Sequence, residues 1–366
     1  MQDRQNKVLF YGPLGKKKKF IVGGGETGNY RTIYLLKKNN YEVSILQKPY
    51  PEKNVFGYGV YIIKMMLIII AMTFRLLTKK INIVHISGFY LHLIYHEFFL
   101  VTISKMFKKK CIYELRGGGV VESYNNRSFI YRLFFRATLN NASVILCQGK
   151  SYIDFLKKIT TVPVFHYPNF ILNEFLTTPS GLNGTSSKIE LVYFGRLAKS
   201  KNIDLIIQTC SELQKQNVNF NLELIGKGDR KYIEHIKELC EYNNLSDKIN
   251  ITPPVKHQLL KQKLNKKHFF LFPSNEKREG HSNALTEAMS LGVVPVCSNA
   301  GFNAEIVGDN NLIVSEFTPL SYASVVNNIW KAGQWKQYSS SVANRIKKNY
   351  TEQIVEDILV KAYNYN

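Results

Sequence analysis

Four residues of this 366-residue chain have the types and spacing to handle a phosphorylated ligand: Arg196 and Lys201, five positions apart, and Glu279 and Glu287, eight apart. Carboxylates accept hydrogen bonds from hydroxyl groups, and fixed cations stabilise the charge that develops on a departing phosphate without a bound metal. Each pair follows an apolar run. Arg196 and Gly195 end IELVYFGR, and Glu279 lies in the loop after HFFLFPS (His268–Ser274). Such runs, bounded by turn residues, read as buried parallel strands. Ser282 or Asn283 caps a short helix that carries Glu287, Gly292 suits its end, and VVPVCS (Val293–Ser298) is the next strand. Open α/β sheets bind ligands in the crevice at the carboxyl ends of their strands, and a helix N-terminus there accepts phosphate.

The same grammar of strand, glycine turn and helix runs through the rest of the chain. KVLFYGPL (Lys7–Leu14) is a strand, followed by KKKK (Lys16–Lys19) and the glycine-rich IVGGGETGN (Ile21–Asn29). A helix is expected after Gly28 and a strand at YEVSILQ (Tyr41–Gln47). The loop lets backbone N–H groups approach a phosphate, with Gly24 and Gly25 at its centre, or it is an ordinary tight turn; it is not the G-x-G-x-x-G of a dinucleotide site. Further strands are INIVHISG (Ile81–Gly88), KCIYELR ahead of Gly117–Gly119, and ASVILCQG (Ala142–Gly149). Arg116, beside three glycines, either binds a phosphate as a planar donor fork or is a solvated loop residue. TTPSGLNGTSSK (Thr177–Lys188) has the composition of a connection. The expected organisation is a first domain over 1–178, a linker over 179–188, a second domain over 189–345 and a terminal helix over 346–366 that crosses back to the first.

Taken together these motifs resemble the retaining glycosyltransferases of family four. Glu279-Gly280 and Glu287-Ala288-Met289 match the surroundings of that family's two glutamates, Gly195-Arg196-Leu197 with Lys201 matches its Gly-Arg-Leu…Lys element, and Gly24-Gly25-x-Glu is a looser match to Gly-Gly-x-Glu. Pro168-Asn169 resembles the Pro-Asn at which family members enter the linker. The resemblance implies an α/β chain of the GT-B fold, two Rossmann-like domains with parallel sheets facing across a cleft, and a metal-independent transfer from a nucleotide-sugar donor with retention at the anomeric carbon. It implies that Glu287 holds the ribose, that Glu279 faces the donor sugar, and that Arg196 and Lys201 neutralise the diphosphate. Backbone donors from Ser282, Asn283, Ala284 and Leu285 add to that neutralisation. Two departures stand out: Asn202 occupies a frequent glycine position, and Arg116 stands where many members carry a histidine.

Composition fits this reading. Hydrophobic residues make up 45% of a chain long enough for two domains, which excludes a disordered protein. The net charge of +22 permits nucleic acid, an anionic membrane surface or an anionic substrate as partner. Nucleic acid is set aside, since no reader motif accompanies the lysines. The five cysteines form no C-x-x-C pair and the histidines no metal-ligand pattern, so neither a metal nor another cofactor is expected. GYGVYIIKMMLIIIAMTFRLL (Gly57–Leu77) is greasy, but Lys64 and Arg75 leave a charge-free piece well under the roughly 20 residues of a bilayer span. It reads as a buried helix of the first domain. The first residues lack a signal-peptide core, so the expected location is cytoplasmic, peripheral to the membrane if the lysine runs at 16–19 and 108–110 dock on anionic lipid.

A glycosyltransferase acting on a glycan or lipid-linked glycan, in the making of a surface polysaccharide, is therefore the leading expectation. The same fold running a different reaction, such as epimerisation of a nucleotide sugar, fits fewer of the motifs. A non-catalytic GT-B subunit that binds a nucleotide sugar or a partner protein is the alternative, and the Arg116 departure is its best support.

Overall fold

The computed structural model describes residues 6–15, 23–51, 55–176, 187–276 and 278–365. They form two compact units. The first comprises residues up to Pro168 together with Val355–Asn366, and the second Asn169–Ile354.

In the first unit, in chain order, β1 (Lys7–Gly12), α1 (Gly24–Lys38), β2 (Glu42–Gln47), α2 (Val55–Thr78), β3 (Ile83–Gly88), α3 (Ile94–Met106) and β4 (Lys110–Leu115) precede α4 (Val120–Asn126), α5 (Phe129–Asn141), β5 (Val144–Cys147), α6 (Tyr152–Ile159) and β6 (Val164–His166). The six strands pair in parallel in the order β2-β1-β3-β4-β5-β6. Their continuous apolar character follows from burial on both faces, and β3 and β5 have no exposed residue. The step from β1 out to β2 and the return over β1 to β3 run in opposite directions. Right-handed crossovers then put α1 on one face of the sheet and α2, α3 and α5 on the other, where α2 packs on α3 and α3 on α5.

In the second unit β7 (Ile189–Leu197), α7 (Ile203–Lys215), β8 (Phe220–Gly228), α8 (Arg230–Tyr242), β9 (Ile249–Thr252), α9 (His257–Leu264) and β10 (Phe269–Phe272) precede α10 (Asn283–Ser290), β11 (Val294–Ser298), α11 (Asn303–Val307), β12 (Ile313–Val314), α12 (Pro319–Lys331) and α13 (Trp335–Asn349). The sheet order is β12-β11-β10-β7-β8-β9, again parallel throughout. The order reverses direction beside β7, so the ends of β7 and β10 flank the switch point where such sheets take ligands.

The last helix, α14 (Glu352–Asn364), has most of its length in the first unit. Glu356 accepts from Lys38 and Asn39 at 2.6 and 2.7 Å, and Tyr363 packs edge-on against Tyr41. The units divide ahead of the expected residue 178, at Pro168. The reason lies in residues 169–175, which bond within the second unit: Asn169 donates to the His281 carbonyl at 2.6 Å, Ile171 bridges to Thr351, and the Asn173 amide donates to Glu352. The expected linker lies outside the described residues as far as 186, as do Lys16–Lys19.

Two local expectations are corrected. Helix α1 begins at Gly24, not after Gly28; Gly23 is its extended N-cap, and Gly24 and Gly25 sit in its first turn. The helix expected to be buried, α2, is largely exposed, with Phe56 at 83%, Ile63 at 61% and Phe74 at 64%. It is long and apolar enough to cross a membrane by length and composition. Periodicity misleads here because both its inner and its outer stripe are apolar, so the sequence carries no polar face to mark the outside.

A buried ionic chain ties α14 to the sheet. Glu114 pairs with Arg116 at 2.7 Å and with His85 Nε2 at 3.0 Å, and His85 Nδ1 meets the Tyr363 hydroxyl at 2.7 Å. Burial opposes the charge of Glu114, but the Arg116 guanidinium and His85 outweigh it and hold the carboxyl below its usual range. A carboxyl so depressed contributes stability that is present above its unfolded pKa and lost as pH falls through the folded value. Glu114→Gln is expected to cost about 3–5 kcal/mol at pH 7, because it strands the Arg116 charge. In urea titrations the gap between wild type and variant should narrow as pH drops below 4.5, the carboxyl's ordinary value; a gap independent of pH would refute the assignment.

Candidate functional site

Arg196, Lys201 and Glu279, singled out in the second half of the chain, converge at the carboxyl ends of β7 and β10. The last residues of β7 place Gly195 and Arg196, a 3-10 turn (Lys199–Lys201) follows, and Lys201 stands at the mouth of α7. Asn202, which replaces a frequent glycine, adopts a left-handed conformation with φ +51°. Asparagine tolerates that region, and its side chain donates to the Pro273 carbonyl at 2.8 Å, joining the α7 entrance to the loop after β10. The departure keeps the turn.

Lys201 is almost wholly removed from water and touches two carboxylates. It pairs with Glu279 Oε2 and, at 3.0 Å, with Glu276 Oε2, and its ammonium lies 5.7 Å from the centre of the Phe272 ring. Ser274 donates to Glu279 at 2.7 Å, while Ser298, at the end of β11, donates to the Ser274 carbonyl at 2.5 Å. Glu276 accepts from the Ser200 hydroxyl at 2.7 Å and lies 3.5 Å from the half-exposed Arg196. Burial works against the charge on Glu276, yet the Ser200 hydroxyl, Lys201 and Arg196 together hold its carboxyl below the usual range. Beneath them Tyr193 donates to the Arg196 carbonyl at 2.8 Å; burial and then the charge of Glu279 push its phenol up, so it remains a donor.

Two close approaches of backbone shape this end of the sheet. A Cβ at Gly301 would lie 1.9 Å from the Glu279 carbonyl oxygen, and Gly301 itself has φ +53°, so the loop after β11 can press against the Glu279 loop at glycine and not at a larger residue. A Cβ at Gly226, beside Gly195 in register, would lie 1.8 Å from the Gly195 carbonyl oxygen.

Helix α10 supplies the other part. Ser282 is its N-cap, with its hydroxyl accepting from the Leu285 amide at 3.3 Å, and the helix stops ahead of Gly292. Asn283, Ala284 and Leu285 form the first turn, whose amides stand at the positive end of the helix. Glu287, more than a turn inside, is 5% exposed.

The structure thus brings together Lys201, Glu279 and Arg196, with Glu276, Ser200, Ser274 and Gly301 as members that sequence reasoning missed. Glu276 lies three residues ahead of Glu279 in the same loop, but without a helical or strand period no rule of spacing selects it. Gly24, Gly25 and Arg116 belong to the first unit. Gly24 and Gly25 offer first-turn amides of α1, while the neighbouring Glu26 accepts from Tyr50. Arg116 is not a solvated loop residue: it is 2% exposed, pairs with Glu114 and leaves Nε and Nη1 without a hydrogen-bond partner among the described residues.

Comparison with known proteins bears on the fold and on the second half of the chain. Residues 180–349 match a family model described as glycosyl transferases group 1. A phosphatidylinositol N-acetylglucosaminyltransferase subunit from Arabidopsis thaliana is 23% identical over 186 residues, which are 51% of this chain and 40% of that protein. The chain spans between about a quarter and two fifths of the length of the curated relatives it matches. Among solved structures, sucrose-phosphate synthase from Thermosynechococcus elongatus superposes with a TM-score of 0.76 at 14% identity, covering 98% of each chain. HepE from Anabaena, in complex with UDP and glucose, superposes with a TM-score of 0.68 at 14% identity, covering 99% of this chain and 100% of that one. The second half of the chain is thus similar to the group 1 glycosyl transferases over residues 180–349, and the chain has the GT-B fold.

Proposed function

We propose that the chain transfers a sugar from a nucleotide-sugar donor to a glycan or lipid-linked glycan, with retention at the anomeric carbon and without a metal. The observation that carries this reading is the cluster of Lys201, Glu279, Glu276 and Arg196 at the switch point of the second sheet, its two glutamates in the segment that leads into α10. In transfer, the acceptor hydroxyl oxygen bonds to the anomeric carbon as the bond from that carbon to the diphosphate oxygen breaks, the hydroxyl proton passes to the departing diphosphate, and the negative charge grows on the nucleoside diphosphate. Lys201 is fixed by Glu279 and by Ser274, so its charge is already oriented when the leaving group develops its own. Arg196, half exposed, is able to turn towards the second phosphate. The carboxylates keep Lys201 and Arg196 in place until a diphosphate arrives, and the diphosphate then competes with Glu276 for both cations. Glu279 accepts from hydroxyls of the donor sugar, and Glu287 from the ribose.

The complex of HepE with UDP and glucose supports a uridine donor as the first to try, and the match to part of a phosphatidylinositol N-acetylglucosaminyltransferase supports a lipid-linked acceptor. Assembly of a surface polysaccharide is the setting we propose. The epimerase reading has no observation in its favour.

A ligand that binds the native state raises its stability by about 2.7 kcal/mol at one hundred times its Kd. Among UDP, GDP, ADP and CMP sugars, one nucleotide series is expected to raise the thermal midpoint, and Glu287→Ala should abolish the shift. No shift with any of them in folded protein would sink the donor reading; a shift without turnover on any acceptor would identify a non-catalytic binding protein instead.

With an active donor and acceptor in hand, EDTA should leave turnover unchanged, and Lys201→Ala should lower it by about 10²–10³, the usual cost of removing one preorganised donor to a developing charge. The anomeric configuration of the first product, read by proton NMR, should match that of the donor. Loss of activity in EDTA that added magnesium restores would overturn the metal-free mechanism, and an inverted product would overturn retention.

A further inference from the structure

Helix α2 is apolar on two opposite sides that meet different surroundings. Tyr61, Met65, Met72 and Leu76 form an inner stripe and are buried, Tyr61 and Met65 in a cluster with Leu93 and Phe89. Phe56, Ile63, Leu67, Ile70, Phe74 and Leu77 recur at steps of seven, four, three, four and three, which places them on one outer stripe, and each is 54–83% exposed. The same layer of helices adds Met106 from α3 and Phe129, Ile130 and Leu133 from α5, all more than half exposed. Scattered exposed leucines are ordinary, but a continuous apolar face of this length marks a surface that another phase or partner covers.

The charge around the face identifies the occupant. From residue 55 to 141 the sequence has twelve Lys and Arg and three Glu. Two of those glutamates, Glu97 and Glu114, are buried within the unit. Lys64, Lys79 and Lys80 of the α2 region are exposed, as are Lys105, Lys108, Arg127 and Arg136 towards α3 and α5. A second copy would oppose this cationic rim with its own. A nucleic acid would meet the cations but leave the apolar stripe in water. An anionic bilayer surface satisfies both, with the acyl boundary taking the stripe and the headgroup phosphates the lysines. The helix does not span. Its ends feed β2 and β3, which flank β1 in one sheet, and its inner stripe is committed to the core.

We propose that α2 lies in the plane of an anionic lipid surface as the docking element of this protein, with the outer stripe from Phe56 to Leu77 in the acyl boundary and Lys64, Lys79 and Lys80 at the headgroups. The proposal stands independently of sugar transfer, because docking is measured with no donor present.

The test is co-sedimentation of the full chain with vesicles of equal parts phosphatidylglycerol and phosphatidylcholine, and with phosphatidylcholine vesicles as the neutral comparison. Wild type should sediment with the anionic vesicles. Ile63→Glu/Ile70→Glu/Phe74→Glu should abolish sedimentation with the thermal midpoint kept, and Lys79→Gln/Lys80→Gln should weaken partitioning about fivefold per lysine removed. Phe74→Trp should add emission that shifts to the blue on anionic vesicles and is quenched by brominated acyl chains, a readout that holds even if the triple variant folds poorly. Any of three results would overturn the proposal: wild type that ignores both vesicles, a triple variant that sediments like wild type, or emission from the introduced tryptophan that lipid leaves unmoved. Wild type that elutes as a dimer which the triple variant splits would assign the face to a second copy and overturn it as well.

Discussion

A lysine almost wholly withdrawn from water has to be met by negative charge, and around Lys201 that requirement organises the carboxyl end of the second sheet. Two glutamates reach it from one loop, Glu276 and Glu279. Serines from three segments then fix those glutamates or the loop that bears them: Ser200 from the turn after β7, Ser274 from the end of β10, Ser298 from the end of β11. The strands supply the positions and the ion cluster supplies the tolerance. Removing Lys201 alone would leave Glu279 with little solvent to replace the pairing, whereas removing Glu276 leaves Lys201 still paired. The cluster is therefore asymmetric, and the more exposed carboxylate, Glu276, is the one an incoming anion can displace at least cost.

The first unit uses the same device for a different end. Glu114, Arg116 and His85 form a buried chain that reaches Tyr363 on the last helix, so the ionic pairing there serves the seating of α14 on the sheet. Arg116 shows how one residue type at the end of a parallel strand can be read two ways. By position it belongs with ligand-binding groups, and by its contacts it first neutralises a buried carboxylate. Its Nε and Nη1, which have no hydrogen-bond partner among the described residues, keep a donor capacity that the pairing with Glu114 does not consume.

Much of this was legible in the sequence. Strands such as HFFLFPS and VVPVCS are buried on both faces, so an apolar run with turn residues at its ends specifies them without ambiguity of face. The cap at Ser282 and the stop before Gly292 depend on backbone chemistry within a few residues, which sequence also records. What escaped has a common cause. Glu276 and Gly301 matter through contacts made across the fold, Glu276 with Lys201 75 positions away and Gly301 with the Glu279 backbone, and no local pattern encodes such a distance. The early start of α1 escaped because glycines weigh against helix by propensity, and tertiary packing overrode that weight.

The misreading of α2 is more instructive, since the residues were identified and only their surroundings were wrong. Length and hydrophobicity give the free energy available from leaving water, but not which medium is entered. For a helix apolar on two opposite sides, the unit can cover one stripe, and the other is settled by what lies beside it. Here the neighbours along α3 and α5 are cations whose acidic counterparts have been drawn inward: Glu97 accepts from Tyr113 and the Phe89 amide, and Glu114 pairs with Arg116 and His85. Burial of those two acids therefore does two things at once, stabilising the interior and leaving the outer face of the same layer with an excess of positive charge. An apolar stripe inside a cationic border is the outward consequence of how this unit satisfies its own core.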